Sequence, residues 1–190
     1  MKVGVIILVV LVILAVVIGG AYVSARNHMV TLNEQVKSDW AQVDVVLQRR
    51  SDLIPNLVAT VQGFAAHETT VFDDVAKART QYLNAQTPAD KIAASNQLRG
   101  AEIKVLALAE NYPQLKSNEN FLRLQDELAG TENRIAVERQ RYNKTLEDYN
   151  VYVRQFPNSI WANMAGFHYR DEYFKGNPEN SVAPKVDFSK

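Results

Sequence analysis

The fold of this chain is decided by residues 3–23, VGVIILVVLVILAVVIGGAYV, which contain no charged side chain. A helix rises about 1.5 Å per residue, so this apolar segment would extend about 30 Å, the thickness of the hydrocarbon core of a bilayer. A helix also satisfies its own backbone hydrogen bonds, as a single segment in lipid must. The apolar segment therefore predicts one transmembrane helix, and we expect residues 1–24 to form a membrane anchor.

A cleaved signal peptide is the alternative interpretation of the same residues. Lys2 would be its basic start, and residues 23–25 would be a cleavage site of small side chains. However, the apolar stretch over residues 3–18 already exceeds the usual signal-peptide core of about 7–15 residues. We therefore favour an uncleaved anchor. Basic residues flank the anchor on both sides, so the positive-inside rule does not decide its orientation.

The composition argues against several classes of function. The chain has 190 residues, 21 Lys+Arg balanced by 21 Asp+Glu, and no cysteine. Disulfides, cysteine nucleophiles and Cys-rich zinc sites are therefore excluded in this sequence. A net charge of zero does not supply the positive field that nucleic-acid binding uses, so we expect no nucleic-acid partner. All charged residues except Lys2 follow residue 24, which predicts a mixed-sign surface on the remaining chain.

Beyond residue 25, apolar residues recur every three or four positions, which predicts amphipathic helices. No turn signal separates this pattern from the apolar segment, so we expect one helix to leave the membrane and continue into the bundle. Pro55 should kink or interrupt that helix. Because the apolar spacing resumes after Pro55, we predict a kinked continuation to about Tyr82 rather than a reversal of direction. The first stripe comprises Met29, Leu32, Val36, Trp40, Val43 and Leu47.

Two further helices are expected. Thr87 is a favourable N-cap before Pro88, and this second helix should end before Tyr112. The third helix is predicted from about Ser117 to Arg154. Long amphipathic segments with short links indicate an all-α fold, a long antiparallel helical bundle over residues 25–167 preceded by the transmembrane helix.

Two glycines lie within the long helical patterns. We interpret Gly63 and Gly130 as sites of close helix crossing in preference to hinges, because a missing side chain lets two backbones approach.

The end of the chain has a short apolar stretch from Ile160 to Phe167 and then a polar sequence. The apolar stretch could cap the end of the bundle core, contact the membrane interface or dock a partner. We leave these three possibilities open. Residues 168–190 are predicted to form a polar, flexible tail.

The motifs that usually carry chemistry are missing from the sequence. No acidic residue stands three positions before His28, His67 or His168, so no Glu-x-x-His metal pair is formed. We expect these histidines on the surface or at helix ends. Glycine-rich phosphate loops and Gly-x-Ser-x-Gly elbows are also absent. We therefore predict no catalytic, cofactor-binding or metal-ligating residues, no cofactor, and a protein that is not an enzyme.

Charged and amide side chains are dense around Pro55 and along the third helix. We favour a solvated face with weak ion pairs, while a buried polar layer that fixes helix register, or a binding face, stays open. The members are Asp44, Arg49, Arg50, Asp52, Glu119, Asn120, Gln125, Glu127, Glu132, Asn133 and Arg134. A second hypothesis of function uses part of this set as an anion or lipid-headgroup site: Arg49, Arg50, Asp52, Glu127 and Arg134.

Two long stretches resemble the signature of the LemA family. They are DVVLQRRSDLIPNLV at residues 44–58, and NENFLRLQDEL at residues 118–128 followed by GTENRI at residues 130–135. Arg141-Tyr142-Asn143, Tyr149-Asn150 and Phe156-Pro157 continue the similarity, which extends from the anchor to about Phe174. The resemblance implies a bacterial membrane protein with one N-terminal transmembrane helix, a short N-terminus outside and a helical bundle in the cytoplasm. Some members of the family belong to magnetosome membranes, and the resemblance brings no catalytic residues.

These observations favour a membrane-anchored, non-catalytic helical scaffold in the bacterial inner membrane. Its expected partners are the lipid bilayer, through residues 3–23, other membrane or peripheral proteins, and copies of itself. The alternative is a membrane-bound bundle that binds a ligand or headgroup, or an enzyme of unrecognised type, through its Arg, Asp and Glu cluster.

Overall fold

The computed structural model describes residues 2–175, which form helices joined by short links and contain no strand. The helices are α1 Lys2–Gln62, α2 Thr69–Asn84, α3 Pro88–Leu108, α4 Pro113–Lys116, α5 Glu119–Arg154 and α6 Asn158–Ala165, with a 3₁₀ helix at Ala109–Asn111. The predicted all-α fold is confirmed. Met1 and residues 176–190 lie outside the described residues.

Helix α1 joins the apolar segment to the bundle without a break. It is 61 residues long, and its first 23 positions are exposed except for the half-buried Tyr22. From Ala25 onward the same helix supplies core residues. The predicted continuity between the apolar segment and the first bundle helix is therefore confirmed. It is also the one helix in the described part of the chain that is long and apolar enough to cross a membrane.

The same helix passes through Pro55, where a backbone hydrogen bond is lost. Proline has no N–H, so the carbonyl of Ser51, four residues earlier, loses its usual helical donor. The Nε of Arg79 donates to this carbonyl oxygen at 3.2 Å. Because Ser51 is fully buried, this bond satisfies an acceptor that water does not reach. A side chain of α2 thus compensates for the proline in α1.

The predicted continuation of the first helix to Tyr82 is wrong, because the chain reverses after Gln62. Residues 63–68 form a turn, in which the N–H groups of Phe64 and Ala65 both donate to the carbonyl of Val61. Helix α2 then runs back along α1, as the bond between Arg79 and Ser51 shows. Helical spacing is the same in either direction along a neighbour, so periodicity alone could not reveal the reversal.

Neither predicted glycine crossing is present. A Cβ on Gly130 would meet no atom within 4 Å, and a Cβ on Gly63 would meet only the carbonyl of Thr60, three residues earlier in the chain, at 3.5 Å. Both close-packing predictions are therefore wrong. Gly63 lies at the start of the turn that ends α1, and Gly130 lies on the exposed side of α5.

Helix α3 begins at the predicted cap, and α5 begins at a cap within two residues of its predicted start. The Thr87 hydroxyl accepts the Asp90 N–H at 3.1 Å, and Pro88 is the first residue of α3. The Asn118 side chain accepts the N–H groups of Asn120 and Phe121, at 3.0 and 3.1 Å, and starts α5. These caps satisfy N–H groups that have no partner inside the helix.

The core lies mainly between α1 and α5, which pack antiparallel. The Trp40 ring is 5.4 Å from the Tyr142 ring, and the Thr145 hydroxyl donates to Asp39 at 2.6 Å. Buried side chains recur every seven residues on both helices, a spacing typical of a coiled coil. On α1 they are Met29, Val36, Val43, Arg50 and Leu57, and on α5 they are Phe121, Leu128, Ile135, Tyr142 and Tyr149.

Residues 168–175, here called the C-terminal strap, lie along α5. Asn150 donates to the carbonyl of Arg170 at 2.7 Å and accepts its N–H at 2.9 Å. One heptad earlier, Asn143 makes the same pair of bonds with Phe174, at 2.8 and 2.9 Å. The first part of the predicted tail is therefore docked on the bundle, so the boundary at residue 168 is corrected. The remainder of that tail, residues 176–190, falls outside the described residues.

Candidate functional site

A group of charged side chains extends from the buried Arg50 and Glu102 to the surface beside α3, and we call it the charged layer. It comprises Arg50 of α1, Arg99 and Glu102 of α3, and Glu132 and Arg139 of α5. Arg50 lies at its centre and is 2% exposed. The Arg50 Nε is 3.7 Å from Glu102 Oε2, and its Nη2 contacts Glu132 Oε2. Arg99 Nη2 lies 3.2 Å from the other oxygen of Glu132.

The helical period places Arg50 and Glu102 in the core. Arg50 follows Val43 and precedes Leu57 by seven residues, so it shares the face of α1 that packs against α5. Glu102 lies four residues after Leu98 and three before Val105, both buried on α3. Helices α1 and α3 therefore direct opposite charges at each other from positions that apolar side chains occupy in the rest of their stripes.

Burial shifts the ionisation of the charged layer. Removal from water lowers the pKa of Arg50 to about 10, and the nearby Glu102 carboxylate opposes that shift. Removal from water raises the pKa of Glu102, against the effect of Arg50 and Arg99. For Arg139, burial and the charge of Arg99 lower the pKa to about 10. The arginines nevertheless remain cationic at neutral pH.

The C-terminal strap covers one side of the charged layer. The Arg139 guanidinium carbon lies 4.6 Å from the centre of the Phe174 ring, a cation–π geometry. Arg139 Nε and Nη2 are buried and donate to no group in the described residues. Phe174 also contacts the rings of Trp40 and Tyr142, with centroids 6.1 and 5.9 Å apart. The strap thus connects the charged layer to the aromatic part of the core.

The centre of the charged layer is a network of ion pairs inside the molecule. Arg50 is paired with two carboxylates from two other helices, and a paired buried charge is a structural element whose removal is costly. The other four members of the predicted anion site, Arg49, Asp52, Glu127 and Arg134, are exposed. Within residues 2–175, no hydrogen bond or ion pair joins any two of the five side chains of that predicted set.

The solvated-face interpretation holds for most of the charge-rich sequence. Besides those four side chains, the exposed members are Glu119, Asn120, Gln125 and Asn133. The buried-layer alternative holds for Arg50, whose partner Glu132 was in the predicted cluster. Glu102, Arg99 and Arg139 were not among the residues predicted from the sequence. Glu102 had a detectable signal, since it interrupts the apolar stripe between Leu98 and Val105.

The histidines lie on the surface, as predicted. His28 is exposed on α1 with its ring 4.4 Å from the Tyr152 ring, His67 is in the turn before α2, and His168 is in the C-terminal strap. Within residues 2–175, no group of three or more His, Asp or Glu side chains is arranged to hold a metal ion.

The fold and the apolar segment together define a membrane-associated helical-bundle protein. The model of the LemA family matches residues 39–188, which is most of the chain. The chain therefore belongs to the LemA family, as the motifs around Pro55 and along α5 indicated.

Three magnetosome proteins are among its relatives. Magnetosome proteins MamQ 2 and MamQ 1 of Paramagnetospirillum magneticum are each 28% identical over 178 residues, covering 80% of this chain and 65% of theirs. Magnetosome protein MamQ of Magnetospirillum gryphiswaldense is 26% identical over 189 residues, covering 84% of this chain and 69% of its own. The chain thus spans just under two thirds of the length of the two Paramagnetospirillum relatives.

Proposed function

We propose that this protein is a non-enzymatic scaffold that is anchored in the membrane and associates with other copies of itself and with other membrane proteins. The observation that carries the proposal is the unbroken helix α1, whose apolar segment continues directly into the bundle core. A continuous helix transmits orientation, because its hydrogen bonds resist bending. The bundle would therefore keep a defined angle to the transmembrane helix.

The distribution of charge supports a role for the outer surface. The most buried arginine, Arg50, pairs with side chains inside the molecule. Most other charged groups of the bundle face outward with both signs interspersed. A mixed-sign surface suits pairing with a complementary protein surface more than the capture of one small ion.

Association with a second copy is tested by photo-crosslinking in native membranes. A photoreactive amino acid would replace Val45 on α1 or Val137 on α5, which are exposed and point away from the core. The matched control is Val12 in the apolar segment, which reports chance encounters within the bilayer. We expect dimers and larger species of the chain from the bundle positions. Recovery of monomer alone from both positions would contradict self-association.

We further propose a single-pass location in the bacterial inner membrane with the bundle on the cytoplasmic side. The family resemblance and the magnetosome relatives support this location. The chain has no cysteine, so V45C introduces one labelling site. In intact cells a membrane-impermeant maleimide should leave V45C unmodified until the membrane is permeabilised. Labelling in intact cells would place the bundle outside.

A further inference from the structure

Three exposed apolar side chains, Ile160 and Met164 on one face of α6 and Phe156 in the turn just before it, lie at one end of the bundle, and we call them the α6 ridge. Phe156, Ile160 and Met164 follow one another at intervals of four residues and are 83%, 49% and 69% exposed. The opposite face of α6 packs on the bundle through the buried Ala162 and the half-buried Trp161. The predicted apolar stretch is thus divided, with one side capping the core and the other uncovered.

The α6 ridge lies level with the end of the apolar segment. The Trp161 ring meets the Tyr22 ring edge-on, with centroids 5.6 Å apart, and Tyr22 is the penultimate residue of the apolar segment. The chain reverses at this level, because α5 ends at Arg154 and the C-terminal strap returns along α5 from residue 168. Gly166, with φ 77°, ends α6 in the left-handed conformation that permits this return.

The two stretches of sequence that form this end of the bundle carry basic side chains and no acidic ones. Neither residues 1–33 nor residues 149–170 contain an Asp or Glu, although the whole chain has 21. The same two ranges contain Arg26, Arg154 and Arg170. Elsewhere in the bundle both signs are mixed. A cationic, acid-free end suits the anionic headgroups of a bilayer surface.

We propose that α6 lies in the headgroup region of the bilayer beside the transmembrane helix and inserts the α6 ridge among the lipid chains. The proposal rests on the membrane anchor proposed above. Tyr22 and Trp161 would form an aromatic belt at the interface, where rings with one polar edge are favoured. Ser159 and Asn163 form the polar edge of the outward half of α6, so the helix is amphipathic in the way an interfacial helix requires.

This second contact would hold the bundle at a fixed tilt and rotation. A single transmembrane helix is free to rotate about its axis, and its tilt is set by packing and by interfacial anchors. The α6 ridge extends to one side of α1, so its insertion defines which face of the bundle turns toward the membrane.

The test uses spin labels on single cysteines in the full-length chain, which has none of its own. The ridge labels are I160C and M164C. The matched controls are N163C, exposed on the polar edge of the same helix, and V137C, an equally apolar exposed site on α5. A label at V12C reports whether the anchor is in lipid. One chain would be placed in each nanodisc of phosphatidylethanolamine and phosphatidylglycerol, and accessibility to oxygen and to a water-soluble nickel complex would be measured.

We expect the ratio of oxygen to nickel accessibility at I160C and M164C to be severalfold above that at N163C and V137C, and to approach that at V12C. If V12C is in lipid while the ridge labels match N163C, the interfacial helix is wrong and the anchor stands. If V12C itself is accessible to the nickel complex, the result contradicts the membrane anchor, on which the interfacial helix depends. If the ridge labels are shielded from both reagents, protein covers the ridge, and the lipid proposal is overturned.

Discussion

The two halves of the α1–α5 interface follow the same seven-residue spacing but differ in chemistry. Near the membrane end, the repeat on α1 consists of Met29, Val36 and Val43, all buried and apolar. One heptad beyond Val43 the repeat places Arg50, which pairs with carboxylates of two other helices. The apolar half supplies the burial that stabilises a helix pair. The charged half contributes little net stability by comparison, because desolvation offsets the attraction.

The charged half fixes the register of α5 against α1. Arg50 meets Glu132 on α5, and the residues one heptad to either side of Glu132 are Gln125 and Arg139. A slip of α5 by seven residues would preserve apolar contacts elsewhere but set Arg50 against an amide or another arginine. Buried polar residues are known to fix coiled-coil register in this way. We infer that the charged layer selects one alignment of two helices whose apolar repeat permits several.

The largest effect should come from Arg50→Met. The substitution leaves the buried Glu102 without its central cation and removes one partner of the half-buried Glu132, so the free energy of unfolding should fall by about 3–5 kcal/mol. Urea titration followed by circular dichroism of the full-length chain in detergent measures this change. Arg49→Met, at the exposed neighbouring position, is the matched control and should change stability little. Equal effects of the two substitutions would show that the charged layer is not a structural unit.

The apolar half is tested by Leu146→Ala on α5, where the side chain is fully buried. Loss of the buried methyl groups and the resulting cavity should lower the free energy of unfolding by about 2–4 kcal/mol. The same titration measures it. Leu122→Ala, at an exposed position near the start of α5, is the control. A cost at Leu146 no larger than at Leu122 would contradict the assignment of this half as the stabilising core.

A third prediction concerns the border of the charged half, where Pro55 leaves the Ser51 carbonyl without its helical donor. Arg79→Met should cost about 1–3 kcal/mol, because it leaves a buried acceptor unsatisfied. In a Pro55→Ala background the backbone N–H is restored, so the same substitution should cost much less. Unfolding free energies of the four chains form a double-mutant cycle. Equal costs of Arg79→Met in both backgrounds would contradict the compensation.

The smallest effect should be an increase in stability. Gly130 lies in the middle of α5, near Glu132 of the charged layer, with free space around it. Gly130→Ala should raise the free energy of unfolding by about 0.5–1 kcal/mol, since alanine loses less backbone entropy in a helix. Gly166→Ala should instead lower the free energy of unfolding, because the positive φ of Gly166 disfavours a side chain. If Gly130→Ala destabilises the protein, a neighbouring helix approaches α5 at Gly130 more closely than the free space there indicates.

The helices and their caps could be predicted from the sequence because capping and periodicity are local signals. Thr87 with Pro88, and the stripe of α5, are examples. The reversal after Gln62 could not be predicted, because an apolar stripe does not reveal the direction of the helix that carries it. Docking of the C-terminal strap was equally hidden, since Asn143 and Asn150 bind its backbone and leave no apolar pattern. Arg50 belonged to the charge-rich cluster predicted from the sequence. Its pairing with Glu102 could not be predicted, because it depends on where α3 packs.

The central claim is that α1 is one rigid helix from the membrane into the bundle. Labels at V12C and V45C, both exposed positions on α1, allow the distance between them to be measured by double electron–electron resonance in nanodiscs. The two positions are 33 residues apart in the sequence, which should give a narrow distribution centred near 50 Å, at about 1.5 Å per residue. A broad distribution, or a distance well below this value, would show that the helix bends or breaks between the membrane and the core, and would contradict the account.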